Sequence, residues 1–206
     1  GTLALGGEVT LSSAHAFADE QSILHYHATD GQGHRYGRDS SPTASFTEDW
    51  LSGLYGKPAF LFPSGMAAIA AALQFAPSGS RHIFLTRENY RKTRSLAQRE
   101  ATSVTNFRGA SHLREEMSRC NCEKRILLVE SPANPHLRIV NLPNVAQVAR
   151  EFDALCVWDA TFAGLDNVIE AYSVFDLVVH SATKYIAGHD DLVAGILFAE
   201  PDLAQQ

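Results

Sequence analysis

The chain has 206 residues, 45% hydrophobic and 19% charged, and a formal net charge of -6, which is enough apolar material for one globular domain with a real core. The acidic balance, with no basic run or Lys/Arg stripe, argues against a nucleic-acid partner. No apolar run is long enough to span a bilayer and no n-region/h-region signal is read, so no membrane partner is expected.

Residues 1–35 are weakly patterned, and 1–42 is read as an N-terminal arm, extended or looped, ahead of an α/β domain over 43–206. His25 and His27 would share a face on a strand, but a pair without a third ligand is read as incidental. The spacing of Gly31, Gly33 and Gly37 does not fit a dinucleotide fingerprint, and no strand clearly precedes it. From Thr43 to Tyr55 the pattern turns helical: Thr43 or Ser45 could cap, and Phe46, Trp50, Leu51 and Leu54 share a face. Gly56 ends that helix. Lys57 to Phe62 reads as a short strand, Pro63-Ser64-Gly65 as a turn, and Met66 to Phe75 as an alanine-rich helix. A small turn that opens directly into a helix leaves free backbone N–H groups at the positive end of the dipole. That is an anion site, most simply for a phosphate.

Strand-like runs follow at Ile83–Leu85, Ser103–Phe107, Ile126–Glu130, Leu155–Asp159, Leu177–His180 and Val193–Phe198, with helical patterns at Arg91–Glu100, Leu113–Arg119 and Val145–Phe152 between them. The alternation implies a mostly parallel sheet with helices on both faces. Ligands of such sheets sit beyond the carboxyl ends of the strands. That rule gathers Gly65 and Met66, the loop Ser131 to Pro135, Asp159, and Ser181, Thr183 and Lys184 into one place. The three cysteines, Cys120, Cys122 and Cys156, are odd in number and sparse. They suggest a reducing compartment, the cytoplasm, and no disulfide framework. Cys120 and Cys122 flank Asn121 with no second Cys or His pair at zinc spacing, so no metal site is expected.

The stretch Asp176 to Asp191 carries the most chemistry. Apolar Leu177 to Val179 break into Ser181 and Thr183, then Lys184, Tyr185 and a turn at Gly188. This reads as a buried strand that delivers one amine into a cleft. A buried ammonium without a partner is costly, so a Schiff-base lysine is the economical reading. The bland alternative is a solvated surface lysine.

Four segments, in order, resemble the motifs of one family: Ser64-Gly65-Met66-Ala67-Ala68-Ile69, Glu130-Ser131-Pro132-Ala133-Asn134-Pro135, Trp158-Asp159-Ala160-Thr161-Phe162, and Val178 to His189. Tyr36-Gly37-Arg38-Asp39-Ser40-Ser41-Pro42-Thr43 is similar to its upstream motif. The family is the pyridoxal-phosphate-dependent Cys/Met metabolism enzymes: cystathionine γ-synthase, cystathionine γ- and β-lyases, homoserine sulfhydrylases and methionine γ-lyase. The likeness covers roughly residues 34–198, and five motifs in the right order are a specific signal.

The resemblance implies a fold-type-I domain with a seven-stranded-type sheet and pyridoxal 5′-phosphate (PLP) as cofactor. Lys184 would hold the cofactor and later move protons. Asp159 would pair with its ring nitrogen, and Tyr90 would stack on its ring. The Gly65 and Met66 amides, with the Ser181 and Thr183 hydroxyls, would cup its phosphate. Asn134 would lie near its 3-hydroxyl. Tyr36 and Arg38 would reach the phosphate of a neighbouring subunit, which makes a homo-oligomer with shared sites. The residues keep blander roles open: Asp159 as a helix N-cap, Tyr90 as packing, Tyr36 and Arg38 in a surface turn, Ser181 and Thr183 satisfying a strand end.

The implied reaction is γ-replacement or γ/β-elimination on a sulfur amino acid or an activated homoserine ester. Ala160 stands where the family has Asn after the aspartate, and Ser41 where its upstream motif has Asn, which leaves the particular reaction open. The family's C-terminal domain, with the arginine that grips the substrate's α-carboxylate, is expected to be absent here. The rivals are a truncated or degenerate homologue that binds PLP without catalysis and a nucleotide-binding α/β domain, the latter disfavoured by the missing glycine fingerprint.

Overall fold

A computed structural model of the chain describes residues 9–29, 31, 33–75, 79–164 and 173–204. The chain divides into two compact units, Gly1–Gly56 and Lys57–Gln206.

The first unit departs from the expected arm. Helix α1 spans Glu20–Ala28, capped by Asp19, whose carboxylate accepts from the Ser22 N–H at 2.8 Å. None of its residues is buried, so it carries no apolar stripe, and periodicity could not reveal it. His25 and His27 lie on this helix, where residues two apart do not share a face. An isolated antiparallel bridge joins Ala14 to Tyr36. Helix α2 spans Pro42–Tyr55. Its cap is Ser41, not Thr43 or Ser45: Ser41 Oγ accepts from the Ala44 N–H at 3.2 Å and Pro42 opens the helix, a residue with no N–H to leave unpaired. Gly56 ends it in the left-handed conformation, φ 69°. Because α2 falls in the first unit, the units part at Gly56, after the boundary at residue 42 read from the sequence.

In the second unit the strands are β1 (Ala59–Phe62), β2 (Arg81–Thr86), β3 (Ser103–Phe107), β4 (Lys124–Glu130), β5 (Leu155–Asp159), β6 (Leu177–Ser181) and β7 (Gly195–Ala199). They form one seven-stranded sheet in the order β1-β7-β6-β5-β4-β2-β3. β7 pairs antiparallel with both β1 and β6, and the remaining pairings are parallel. The helices are α3 (Gly65–Gln74), α4 (Arg91–Glu100), α5 (Ala110–Arg119) and α6 (Leu142–Glu151).

The strands are apolar on both faces, as a sheet covered on two sides requires. Ile83, Leu85, Ile126, Leu128, Val157, Leu177, Val179 and Leu197 point one way and form a core with Ala68, Ile69, Ala72 and Leu73 of α3 and Leu96 and Ala97 of α4. The alternate residues Phe84, Leu127, Val129, Trp158, Val178 and Phe198 are buried on the other face. There α5 contributes Leu113 and Met117, and α6 contributes Val145, Ala146, Val148 and Ala149. Two glycines let the layers close. A Cβ on Gly195 would lie 2.2 Å from the Ser64 carbonyl oxygen, and one on Gly65 would lie 2.6 Å from Ser181 Cβ. The start of β7, the turn before α3 and the end of β6 are therefore in direct backbone contact. Among the described residues no helix is long and apolar enough to cross a membrane.

Candidate active site

Parallel strands deliver their carboxyl ends to one edge, and β7, running the other way, brings its amino end there. Between them lies a cavity of about 280 Å³. Its walls carry eight of the ten site residues read from the sequence: Gly65, Met66, Tyr90, Asn134, Asp159, Ser181, Thr183 and Lys184. Tyr36 and Arg38 belong to the first unit. There the Arg38 guanidinium sits 4.9 Å from the Tyr36 ring centroid and 3.6 Å from the Asp39 carboxylate.

Ser64 caps α3, its hydroxyl accepting from the Ala67 N–H at 3.1 Å. The first amides of that helix border the cavity with no helical partner of their own. Lys184 follows β6 in a turn closed by its own N–H to the Ser181 carbonyl at 3.1 Å and by the Gly188 N–H to the Lys184 carbonyl at 2.9 Å. Gly188 takes φ 74°, which favours glycine. Lys184 is exposed rather than buried. Its ammonium therefore carries no burial cost, contrary to the expectation from the sequence, and Lys184 is singled out by its place at the cavity wall. Thr183 Oγ1 is already engaged with Ala194, accepting from its N–H at 3.1 Å and donating to its carbonyl at 3.3 Å. Among the described residues Ser181 Oγ has no hydrogen-bond partner.

Asp159 ends β5 and is 5% exposed. Both hydrogen bonds to its carboxyl come from Thr161 and go to one oxygen: the hydroxyl donates to Oδ1 at 2.6 Å and the backbone N–H at 3.1 Å. Burial pushes its pKa up, against the lowering effect of those two bonds. Among the described residues Oδ2 receives no donor and no cation pairs with the carboxyl.

Two neighbours escaped the sequence reading. Thr161 holds Asp159 and also accepts from the Ser181 N–H at 2.9 Å, tying β5 to β6. An Asp-x-Thr turn was the available signal. Glu130 ends β4 in register with Asp159 and is 4% exposed. Its Oε1 accepts from the Asn134 N–H at 2.8 Å and its Oε2 from the Tyr90 N–H. Burial first and the Asp159 charge second raise its pKa to about 7, while those two N–H bonds pull it down. Glu130 thus fixes the loops that present Tyr90 and Asn134. It terminates an apolar strand as Asp159 does, so the same reasoning could have found it.

Residues 4–206 match the model of the Cys/Met metabolism PLP-dependent enzymes. The chain belongs to this family. It is 35% identical over 175 residues to a cystathionine beta-lyase of Coxiella burnetii, covering 80% of this chain and 44% of that protein. It is 33% identical over 202 residues to a chloroplastic cystathionine gamma-synthase 1 of Arabidopsis thaliana, covering 95% of this chain and 36% of that protein. The chain therefore spans less than half the length of these relatives. Among solved structures, cystathionine gamma synthase from Xanthomonas oryzae pv. oryzae, in complex with aminoacrylate and cysteine, superposes with a TM-score of 0.81 at 27% identity. That match covers 98% of this chain and 51% of the other.

The cavity fits the family's cofactor. A protonated ring nitrogen would supply the donor that Asp159 Oδ2 lacks. The α3 amino terminus and the free Ser181 hydroxyl suit a phosphate, and Lys184 supplies an amine for covalent attachment.

Proposed function

We propose that this chain is the cofactor-binding part of a PLP-dependent enzyme that carries out γ-replacement or γ/β-elimination on a sulfur amino acid or an activated homoserine ester. The observation that carries the reading is the buried carboxyl of Asp159, one oxygen without a donor, across the same cavity as the Lys184 amine. When bound, PLP withdraws electrons from the substrate's Cα. Lys184 would hold the cofactor covalently, and as a free amine it would take and return protons at Cα and Cβ. Asp159, as a carboxylate, would accept a hydrogen bond from the protonated ring nitrogen and so keep it protonated, with Thr161 fixing the carboxyl. The Gly65 and Met66 amides and Ser181 take the phosphate, with Thr183 as a further hydroxyl where it yields its bonds to Ala194. Tyr90 and Asn134, both on the cavity wall, would hold the ring, Tyr90 by stacking and Asn134 by a hydrogen bond to its 3-hydroxyl. Tyr36 and Arg38 complete the phosphate site of a second copy of the chain, so the working form is a homo-oligomer. We place the protein in the cytoplasm, a setting that suits sparse cysteines.

The test is reductive trapping. The chain is loaded with PLP and reduced with borohydride, and the peptides are sequenced by mass. The adduct is expected on Lys184 and lost in Lys184→Ala. Labelling of Lys57 or Lys92 in its place refutes the reading.

A further inference from the structure

The end of the sheet opposite the cavity brings together side chains that lie far apart in sequence. Cys120 and Cys122 sit in the link between α5 and β4. β4 pairs with β2 so that Arg81 stands opposite Lys124 and His82 opposite Arg125. The link therefore arrives beside the first residues of β2, and one ligand atom each from His82, Cys120 and Cys122 falls within 4.8 Å of the others. In the structure the two cysteines are joined as a disulfide, a local clip rather than a framework. All three residues are partly buried.

We propose that, once this disulfide is reduced, Cys120, Cys122 and His82 bind a zinc ion. Tetrahedral zinc with two sulfurs and one imidazole needs ligand atoms roughly 3.5–3.8 Å apart, given Zn–S near 2.3 Å and Zn–N near 2.0–2.1 Å. The cluster reaches that geometry once the two sulfurs are released from each other and the imidazole closes on them. Water completes the fourth position, as in other three-ligand sites.

The imidazole is already held by two hydroxyls, Ser103 Oγ at 2.7 Å from Nδ1 and Thr105 Oγ1 at 2.8 Å from Nε2. It also stacks on Phe84 with centroids 4.4 Å apart. One ring nitrogen exchanges its hydroxyl for the metal. The other keeps its hydroxyl, which is the outer hydrogen bond that orients a ligating histidine. Burial, the largest influence, lowers the His82 pKa, while Glu116 opposes it and Arg125 adds to it. Arg125 donates to the Cys120 carbonyl at 2.9 Å, which anchors the link at the start of β4.

The chemistry balances with a thiol reductant. Two RSH give RS–SR, two electrons cleave the Cys120–Cys122 bond, and two protons end on the two sulfurs. Zinc binding releases those protons to solvent, and the ion keeps its oxidation state. Oxidation therefore closes the site and reduction opens it.

The test uses the whole chain before any PLP is added, reduced with a phosphine that does not compete as a thiolate. Cobalt(II) is titrated in, then zinc. The reduced protein is expected to develop a thiolate-to-cobalt charge-transfer band that saturates at one equivalent and is erased by zinc. The oxidised protein and the reduced, alkylated protein are expected to show none. Cys120→Ser and Cys122→Ser, each checked for folding by circular dichroism, are expected to lose the band. His82→Gln is expected to weaken zinc by at least the roughly 10- to 100-fold that losing even an outer-sphere partner costs. A reduced wild type without the band, an oxidised protein that shows it, or a His82→Gln protein with unchanged zinc affinity overturns the proposal.

Discussion

Glu130→Gln in the cofactor-free chain separates a buried titrating acid from a merely well-packed one. In the folded chain the Glu130 pKa is raised from an ordinary 4.5 to about 7. Between those values the folded state holds a proton that the unfolded state has released, so stability is highest below 4.5 and falls as pH rises to about 7. A shift of that size corresponds to about 3 kcal/mol, as an order of magnitude. His180 hides this trend in the raw curve. Burial lowers its pKa to about 4, so it removes stability as pH falls, over nearly the same range and in the opposite sense. The wild-type profile alone mixes these opposed contributions with those of Asp159 and Asp176, whose pKa values burial also raises. The informative quantity is wild type minus Glu130→Gln, from urea unfolding across the range.

Gln keeps the shape but offers one carbonyl oxygen where Glu130 accepts from both the Asn134 and Tyr90 N–H groups. Its NH₂ must face one of those donors, a roughly constant cost of about 1–3 kcal/mol. The difference curve should slope by about 3 kcal/mol between pH 4.5 and 7 and level off above. Because Asp159 stands beside Glu130, the midpoint belongs to the pair. A difference curve with no slope refutes the reading of Glu130 as a proton-binding group.

Gly65→Ala should destabilise the chain by about 1–3 kcal/mol in urea, because the new Cβ meets Ser181 Cβ and Cα at 2.6 and 2.9 Å. It should also hasten loss of PLP on dialysis, and an unchanged midpoint would show that α3 and β6 can separate freely. In a full-length protein, Asp159→Asn should still give the borohydride adduct on Lys184 but slow Cα hydrogen exchange of a bound amino acid by orders of magnitude, each ~1.4 kcal/mol at the transition state being tenfold. Exchange at the wild-type rate, followed by NMR in heavy water, would remove Asp159 from its role at the ring nitrogen.

What the sequence showed depended on burial. Strands Ser103–Phe107 and Leu155–Asp159 and helix Arg91–Glu100 stand where the pattern placed them, because covered strands and amphipathic helices write their partners into their spacing. Helix α1 buries nothing and so left no pattern. β7 begins at Gly195, two residues later than its apolar run suggests. Val193 instead lines the cavity, a role that apolar character cannot distinguish from a strand position. The metal-capable cluster was invisible for another reason. Cys120 and Cys122 lack a sequence-local His, and His82 reaches them only through the pairing of β2 with β4.

The two acids at the strand ends explain each other. They are Cα partners across β4 and β5, buried, and both raised in pKa. A low-dielectric wall resists holding two carboxylates side by side. Their hydrogen bonds resolve the conflict unequally. Glu130 has an N–H on each oxygen, from Asn134 and Tyr90, and is committed to the loops. Asp159 has both bonds on one oxygen and keeps the other for a partner. A cation at Asp159 would favour its ionised form directly, and would relieve Glu130 through the same field that now raises its pKa. The ionised Glu130 is also the form that best accepts both loop amides. Filling the Asp159 side of the cavity with a protonated ring would therefore tighten the Tyr90 and Asn134 loops through Glu130, which accepts from both of their N–H groups.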